Sequence, residues 1–378
     1  MRLKPIVTAC VLAGIALLLY GFRLSAAPLT PEESAFNQQA LSIRFGAPPL
    51  FFRMPNGDWL QPVAVYANAA MAALGGDDVS GRAASAIVGA IDVALVFLIA
   101  HLITGRSWVG VIAALILMLT PAHWSLAQRG TDAIFPVPVI LLWLWSLLRF
   151  LKRDVGLPAA AAVLGVSAYS HPAAPLTAVF LWGLSLFVAR RRNVMRLAVS
   201  TLIFGAAWIP AAAWFFRQPD TYADTFGRWF VFAAHLRNPL DGLRAFVNLN
   251  TLGSRAALYW EFWNPAWLFA GTSTAAAPLL ILTAPLIALG GIYCARKMSR
   301  DMAVLVFGAA LLVPLAGASF GVPYYIASAA AVLPLLALLA ALGVALLVSL
   351  VPRRRPLEDD VDAGAVEGWH ADDSLPRL

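Results

Sequence analysis

Apolar runs of about 18 residues or more recur along almost the whole chain. At 1.5 Å of rise per residue, each is long enough to cross the roughly 30 Å hydrocarbon core as a helix. The runs lie near 5–22, 83–104, 107–126, 133–150, 157–171, 174–189, 197–216, 276–295, 302–319 and 324–351. In lipid, every backbone polar group must find a partner inside the protein, so these runs are helices and an open sheet is excluded. The expected fold is an all-α polytopic membrane protein of about ten transmembrane helices, occupying residues 1–351. Composition agrees, with 61% of residues hydrophobic and 12% charged. That is far from the soluble globular average. Residues 352–378 are acidic (Glu358, Asp359, Asp360, Asp362, Asp372, Asp373) and read as a disordered cytoplasmic tail.

The first run has a second reading. Arg2 and Lys4 precede it and Ser25-Ala26-Ala27 follows it, which is the grammar of a cleaved signal peptide. Its length and the nine runs behind it favour a retained span. The basic residues set the orientation. Arg106, Arg149, Lys152, Arg153, Arg190 to Arg192, Arg196, Arg296, Lys297, Arg300 and Arg353 to Arg355 all fall on alternate connections. Both termini are therefore expected in the cytoplasm, and the net charge of +7 is a topogenic signal. It is no nucleic-acid footprint, because basic and aromatic residues do not share a face. Two outward loops are long, near 23–82 and 217–275.

Cys10 and Cys294 lie in or at the inner ends of spans, without metal spacing. Asp360-Val361-Asp362 is a D-x-D string, but in an acidic tail it carries little weight. There is no P-loop, no G-x-G-x-x-G after a strand, no G-x-S-x-G and no H-E-x-x-H. The spans are mostly free of charge. Asp92 is the exception, with His101 nearer the inner end. A carboxylate at that depth costs about 2.5–3.5 kcal/mol on insertion scales, so it should face the bundle or water.

The first outward loop holds the pair Glu32-Glu33. Thr30 and Glu33 fit the S/T-x-x-E capping box, with Pro31 at the first helical position. Phe36, Ala40 and Ile43 follow at helical spacing, and Gly46 with Pro48-Pro49 stops the helix. Capping accounts for Glu33 and leaves Glu32 unexplained. A second loop helix is expected from Pro62 to Leu74, closed by Gly75-Gly76. Between them, Phe51-Phe52-Arg53 and Trp59 flank a turn at Asn56-Gly57, as an interfacial anchor or as the lining of a site. A further polar cluster, His123 to Asp132, joins the third and fourth runs. Arg129 and Asp132 would be neighbours if helical, either as a local ion pair or as a cation presented to an anionic headgroup with an acid nearby.

The order of these features resembles the GT-C superfamily of integral-membrane glycosyltransferases, and within it the protein mannosyltransferase and aminoarabinose-transferase-like families. An Asp-Glu pair followed by Tyr or Phe outside the first span reads here as Glu32-Glu33-Ser34-Ala35-Phe36. Gly46, Pro48 to Pro62, and Gly75-Gly76 leading to Gly81-Arg82 match the rest of that loop. Pro121, His123, Ser125, Arg129 and Asp132 match the string after the third span. Tyr259 to Phe269 matches an aromatic segment before a late one. Two departures are the Glu at position 32, where the family usually has Asp, and the lack of a large outer domain after the last span.

The resemblance implies a polyprenyl-phosphate-linked sugar as donor and a lipid, glycan or protein hydroxyl as acceptor, on the outer face of a bacterial inner membrane. Glu32 would be the base and Asp132 a second acid that orients the acceptor or holds a cation. Arg129 would bind the phosphate, with Arg53, Arg82 or Arg255 as helpers. Glu33 and His123 complete the substrate-binding set. The cofactor stays open, with a divalent cation as the candidate. The competing readings are a transporter or flippase of lipid-linked sugars, which needs polar groups along a transmembrane path, and an inactive transferase homologue.

Overall fold

The computed structural model describes residues 4–22, 24–43, 49–53, 59–75, 79–191, 194–218, 221, 252–272, 276–318 and 326–350. The expected turn at Asn56-Gly57, the residues Gly46, Pro48 and Gly76, most of the second long loop and the acidic tail lie outside them.

The chain runs through α1 (Pro5–Gly21), α2 (Pro31–Ser42), the strands β1 (Phe52–Arg53) and β2 (Trp59–Leu60), then α3 (Pro62–Ala73) and α4 (Ser80–Thr104). It continues with α5 (Ser107–Met118), α6 (Pro121–Ala127), α7 (Pro136–Arg153), α8 (Leu157–Ser167), α9 (Ala174–Ala189), α10 (Val194–Ala206) and α11 (Ile209–Arg217). After the second loop come α12 (Leu252–Phe262), α13 (Pro265–Ala270), α14 (Thr283–Lys297), α15 (Arg300–Ala318), a 3-10 turn (Ile326–Ala329) and α16 (Val332–Leu350). Pro opens α1, α2, α3, α6 and α7, where its missing N–H removes one orphan donor. The strands pair antiparallel, Phe52 with Leu60 and Arg53 with Trp59.

Each expected apolar run contains a helix, but several helices are shorter than the runs. Among the described residues four are long and apolar enough to cross a membrane: α4, the α10–α11 run, α15 and α16. The α5–α6 pair, bent by 70°, would be a fifth span. The shortening has local causes. The Thr120-Pro121 step ends one axis and starts another. Between α10 and α11 the Tyr169 hydroxyl donates to the Ala207 carbonyl (2.7 Å) and accepts from the Ala211 N–H (3.2 Å). A freed backbone group at membrane depth needs such a partner.

α4 runs through the core, packed against α1, α3, α5 and α7. Its C-terminal end closes on Gly105 in the left-handed conformation (φ 70°), and Lys152 Nζ donates to the Leu102 and Ile103 carbonyls there. Trp143 on α7 donates to Ser185 Oγ on α9 at 2.9 Å inside the bundle. These contacts fix the frame on which the loops at the opposite end sit.

Candidate active site

The site is built at the end of the bundle where α1 leaves, α4 enters and the α6–α7 turn closes. The capping box forms as expected. Thr30 Oγ1 accepts from the Glu33 N–H at 3.2 Å, and Glu33 Oε2 accepts from the Thr30 N–H at 2.8 Å. Glu33 then does more than cap. Arg82 meets its carboxylate with two parallel bonds, Nε to Oε1 and Nη2 to Oε2, both 2.8 Å. The Gly130 N–H, from the α6–α7 turn, donates to Oε1 at 3.0 Å. Arg82 also donates to the carbonyls of Leu24 (2.7 Å), Ala27 (2.7 Å) and Pro28 (2.9 Å). All five guanidinium N–H groups are thereby engaged.

Burial opposes the charge on Glu33. The bonds from Arg82, from the Thr30 and Gly130 N–H groups, and the Arg82 charge outweigh it and hold the carboxyl at about 2. Gly81 and Gly130 make the approach possible. A Cβ on Gly130 would lie 3.1 Å from the Arg82 nitrogen, and one on Gly81 would lie 2.8 Å from Asn68 Nδ2 and 2.9 Å from Asn37 Oδ1.

This buried clamp ties the α1–α2 loop, α2, α4 and the α6–α7 turn together. It also turns Glu32 outward. Glu32 is exposed, and it lines a cavity of about 440 Å³ with Thr30, Leu126, Arg129, Thr131 and Asp132. Arg129 is exposed and Asp132 is 8% exposed. Two acids and a guanidinium, separated by up to 100 residues of sequence, share one space. Ala327, from the turn before α16, closes another side.

Other candidates lie elsewhere. Glu33 and Arg82 are committed to each other, so neither has a bond left for a substrate. His123 is fully buried, with its Nε2 3.3 Å from Asp92 Oδ2 and its Nδ1 3.0 Å from Tyr20 Oη. It faces the core, because α6 turns that side of the helix toward α1 and α4. Arg53 is exposed on β1, its guanidinium 5.8 Å from the Trp59 ring centre, and does not line the cavity. Arg255 is half-buried on α12 and does not line it either. The expected helical pairing of Arg129 with Asp132 fails because α6 ends at Ala127. Asp132 instead faces His171 Nε2 at 3.9 Å. The Ala173 N–H donates to His171 Nδ1 at 3.0 Å, which leaves the proton on Nε2, toward Asp132. His171 is not among the site residues expected from the sequence; its place in a short turn beside Pro172, between two apolar runs, is the signal that points to it.

Among the described residues no three His, Cys, Asp or Glu side chains converge as a metal site.

A model of the dolichyl-phosphate-mannose-protein mannosyltransferase family matches residues 59–214. The match runs from β2 to α11 and stops short of Glu32. No curated protein sequence matches the chain. Among solved structures, ArnT from Cupriavidus metallidurans bound to undecaprenyl phosphate superposes with a TM-score of 0.61 at 16% identity, over 89% of this chain and 60% of that one. The oligosaccharyltransferase of Archaeoglobus fulgidus, in complex with Zn and sulfate, superposes with a TM-score of 0.54 at 17% identity, over 92% and 49%. The fold of the chain is that of these two solved structures. The resemblance read from the motifs holds at this level. The chain spans about half to three-fifths of the length of these structures.

Proposed function

We propose that the chain is a membrane glycosyltransferase that moves a sugar from a polyprenyl-phosphate donor to an acceptor hydroxyl. The observation that carries this reading is the sharing of one cavity by Glu32, Arg129 and Asp132. The fold is that of structures whose ArnT member holds undecaprenyl phosphate. The acceptor oxygen attacks the anomeric carbon and its proton passes to the Glu32 carboxylate. The bond from that carbon to the phosphate oxygen breaks, and the electron pair leaves with the polyprenyl phosphate. General-base help of this kind is worth about 10²–10⁴-fold. Arg129 meets the charge that develops on the leaving phosphate. Asp132, braced by His171, orients the acceptor through a hydrogen bond. The face served is the outer face of a cytoplasmic membrane, where the positive-inside pattern places these loops.

A transporter would need polar groups along a path through the bilayer. Asp92, deep in α4, is instead enclosed with His123 and is fully buried. The experiment is a transfer assay with a radiolabelled polyprenyl-phosphate sugar and lipid, glycan and peptide hydroxyl acceptors. Wild type should release polyprenyl phosphate and label an acceptor, and Glu32→Ala should lose at least about 100-fold. Full transfer by Glu32→Ala would remove Glu32 from the role. A wild type that equilibrates the donor across vesicles without consuming it would replace the reading with a flippase.

A further inference from the structure

α6 is seven residues long, yet it carries one wall of the cavity: Leu126 lies on it and Arg129 just after it. A helix this short has little stability of its own. Something else must set its direction after the 70° bend from α5. The structure supplies a chain of side chains from three helices. Tyr20, near the C-terminal end of α1, is fully buried and contacts α6 and the residues on either side of it. Its hydroxyl reaches the Met118 carbonyl before α6 at 3.5 Å and His123 Nδ1 within it at 3.0 Å. Its ring stands edge-on to Trp124, with centres 5.6 Å apart. Its carbonyl accepts from Gln128 Nε2, after α6, at 3.2 Å. From the opposite side, Asp92 Oδ2 on α4 lies 3.3 Å from His123 Nε2. Gly89 lets α4 come this close, since a Cβ there would lie 2.7 Å from the Ala127 Cβ and 3.2 Å from the Tyr20 ring.

The Tyr20 hydroxyl and His123 Nδ1 share one hydrogen bond, and the His123 tautomer decides which of the two donates. Apolar residues of the same volume would fill this space at lower cost, because Asp92 Oδ1 is left buried without a partner. What a polar chain adds is direction, since hydrogen bonds fix distance and angle where apolar contacts allow sliding.

We infer that Tyr20, His123 and Asp92 are positioning residues that hold α6, and through it Arg129, in place at the cavity. The functional half of this inference rests on the glycosyltransferase reading, in which Arg129 meets the lipid phosphate.

The test uses the full-length protein in detergent micelles, with two readouts. Hydrogen exchange reports the segment 119–132 against α15 as internal control. Equilibrium binding of undecaprenyl phosphate reports the cavity. Tyr20→Phe removes one hydroxyl, Asp92→Leu removes one link, and Asp92→Asn keeps a hydrogen-bonding group of the same shape. Tyr20→Phe and Asp92→Leu should each speed exchange in 119–132 by roughly 2- to 10-fold, with α15 unchanged. Both should weaken undecaprenyl phosphate binding by a similar factor, and that weakening should vanish in an Arg129→Ala background. Asp92→Asn should behave like wild type.

Unchanged exchange in folded Tyr20→Phe overturns the inference, as does a rise spread equally over α15, which marks ordinary core loss. Losses additive with Arg129→Ala overturn the link to Arg129. If Asp92→Leu does not fold, Tyr20→Phe and Asp92→Asn still decide. If wild type binds no undecaprenyl phosphate, the proposed function fails, while the exchange readout still decides whether the trio holds α6.

Discussion

Glu33→Gln tests the clamp beneath the cavity. The substitution keeps shape and removes charge, leaving the Arg82 guanidinium buried against a neutral amide. Two routes give the magnitude. Removing one partner of a buried ion pair typically costs about 3–5 kcal/mol. Independently, the carboxyl falls from its ordinary 4.5 to about 2 in the folded protein. That difference corresponds to about 3 kcal/mol, and solvent at the cavity mouth reduces it to roughly 2–3 kcal/mol. The two figures overlap near 3 kcal/mol. The sign follows from the depressed value: the contribution is complete above pH 4.5 and is lost as pH falls toward 2. Thermal unfolding of the full-length protein in micelles, followed at several pH values, measures both. At pH 7 the midpoint of Glu33→Gln should fall by about 5 °C or more. Between pH 4.5 and 3 the wild type should lose stability toward the variant, and the two curves should converge. A variant within about 1 °C of wild type at pH 7, or one with a parallel pH profile, would refute the idea that this ion pair holds the loops together.

The same geometry makes further claims. Arg129→Ala should weaken binding of undecaprenyl phosphate by roughly 10- to 150-fold, the equivalent of about 1.5–3 kcal/mol for a charged hydrogen bond, as read by titration in micelles. Arg82→Lys should not rescue the clamp, because one ammonium cannot make the paired bonds and reach three carbonyls together. Its unfolding midpoint should lie near that of Glu33→Gln. Gly81→Ala forces a methyl against Asn68 and Asn37 and should cost about 1–3 kcal/mol, whereas Gly183→Ala, with open space around it, should be neutral in the same melt.

Much of the architecture was legible before any coordinates, because bilayer thickness imposes a length that the apolar runs display directly. The capping box at Thr30 and Glu33 was equally plain, since its spacing is local. The limit came where partners are far apart in sequence. Nothing around Glu33 announces that Arg82 will meet it, or that the Gly130 N–H will cross to it. The spacing of Arg129 and Asp132 suggested a helical pair, but α6 stops two residues before Arg129, and Asp132 finds His171 on another turn. His123 sits in a motif that suggested substrate contact. The bend at Pro121 turns it inward instead, to Asp92, whose depth in a span had called for a side chain facing the bundle or water. Arg53, Arg82 and Arg255 all carry the charge a phosphate needs, and only three-dimensional placement separates them from Arg129.

The central claim is that Glu32 takes the acceptor proton in the cavity it shares with Arg129 and Asp132. The most direct measurement is single-turnover sugar transfer by wild type, Glu32→Gln and Glu32→Asp, with donor binding measured on the same samples. The account predicts that Glu32→Gln binds the polyprenyl-phosphate sugar like wild type and transfers at least about 100-fold more slowly. Glu32→Asp should keep measurable transfer. Wild-type transfer by Glu32→Gln, or a loss matched by an equal loss of donor binding, would contradict it.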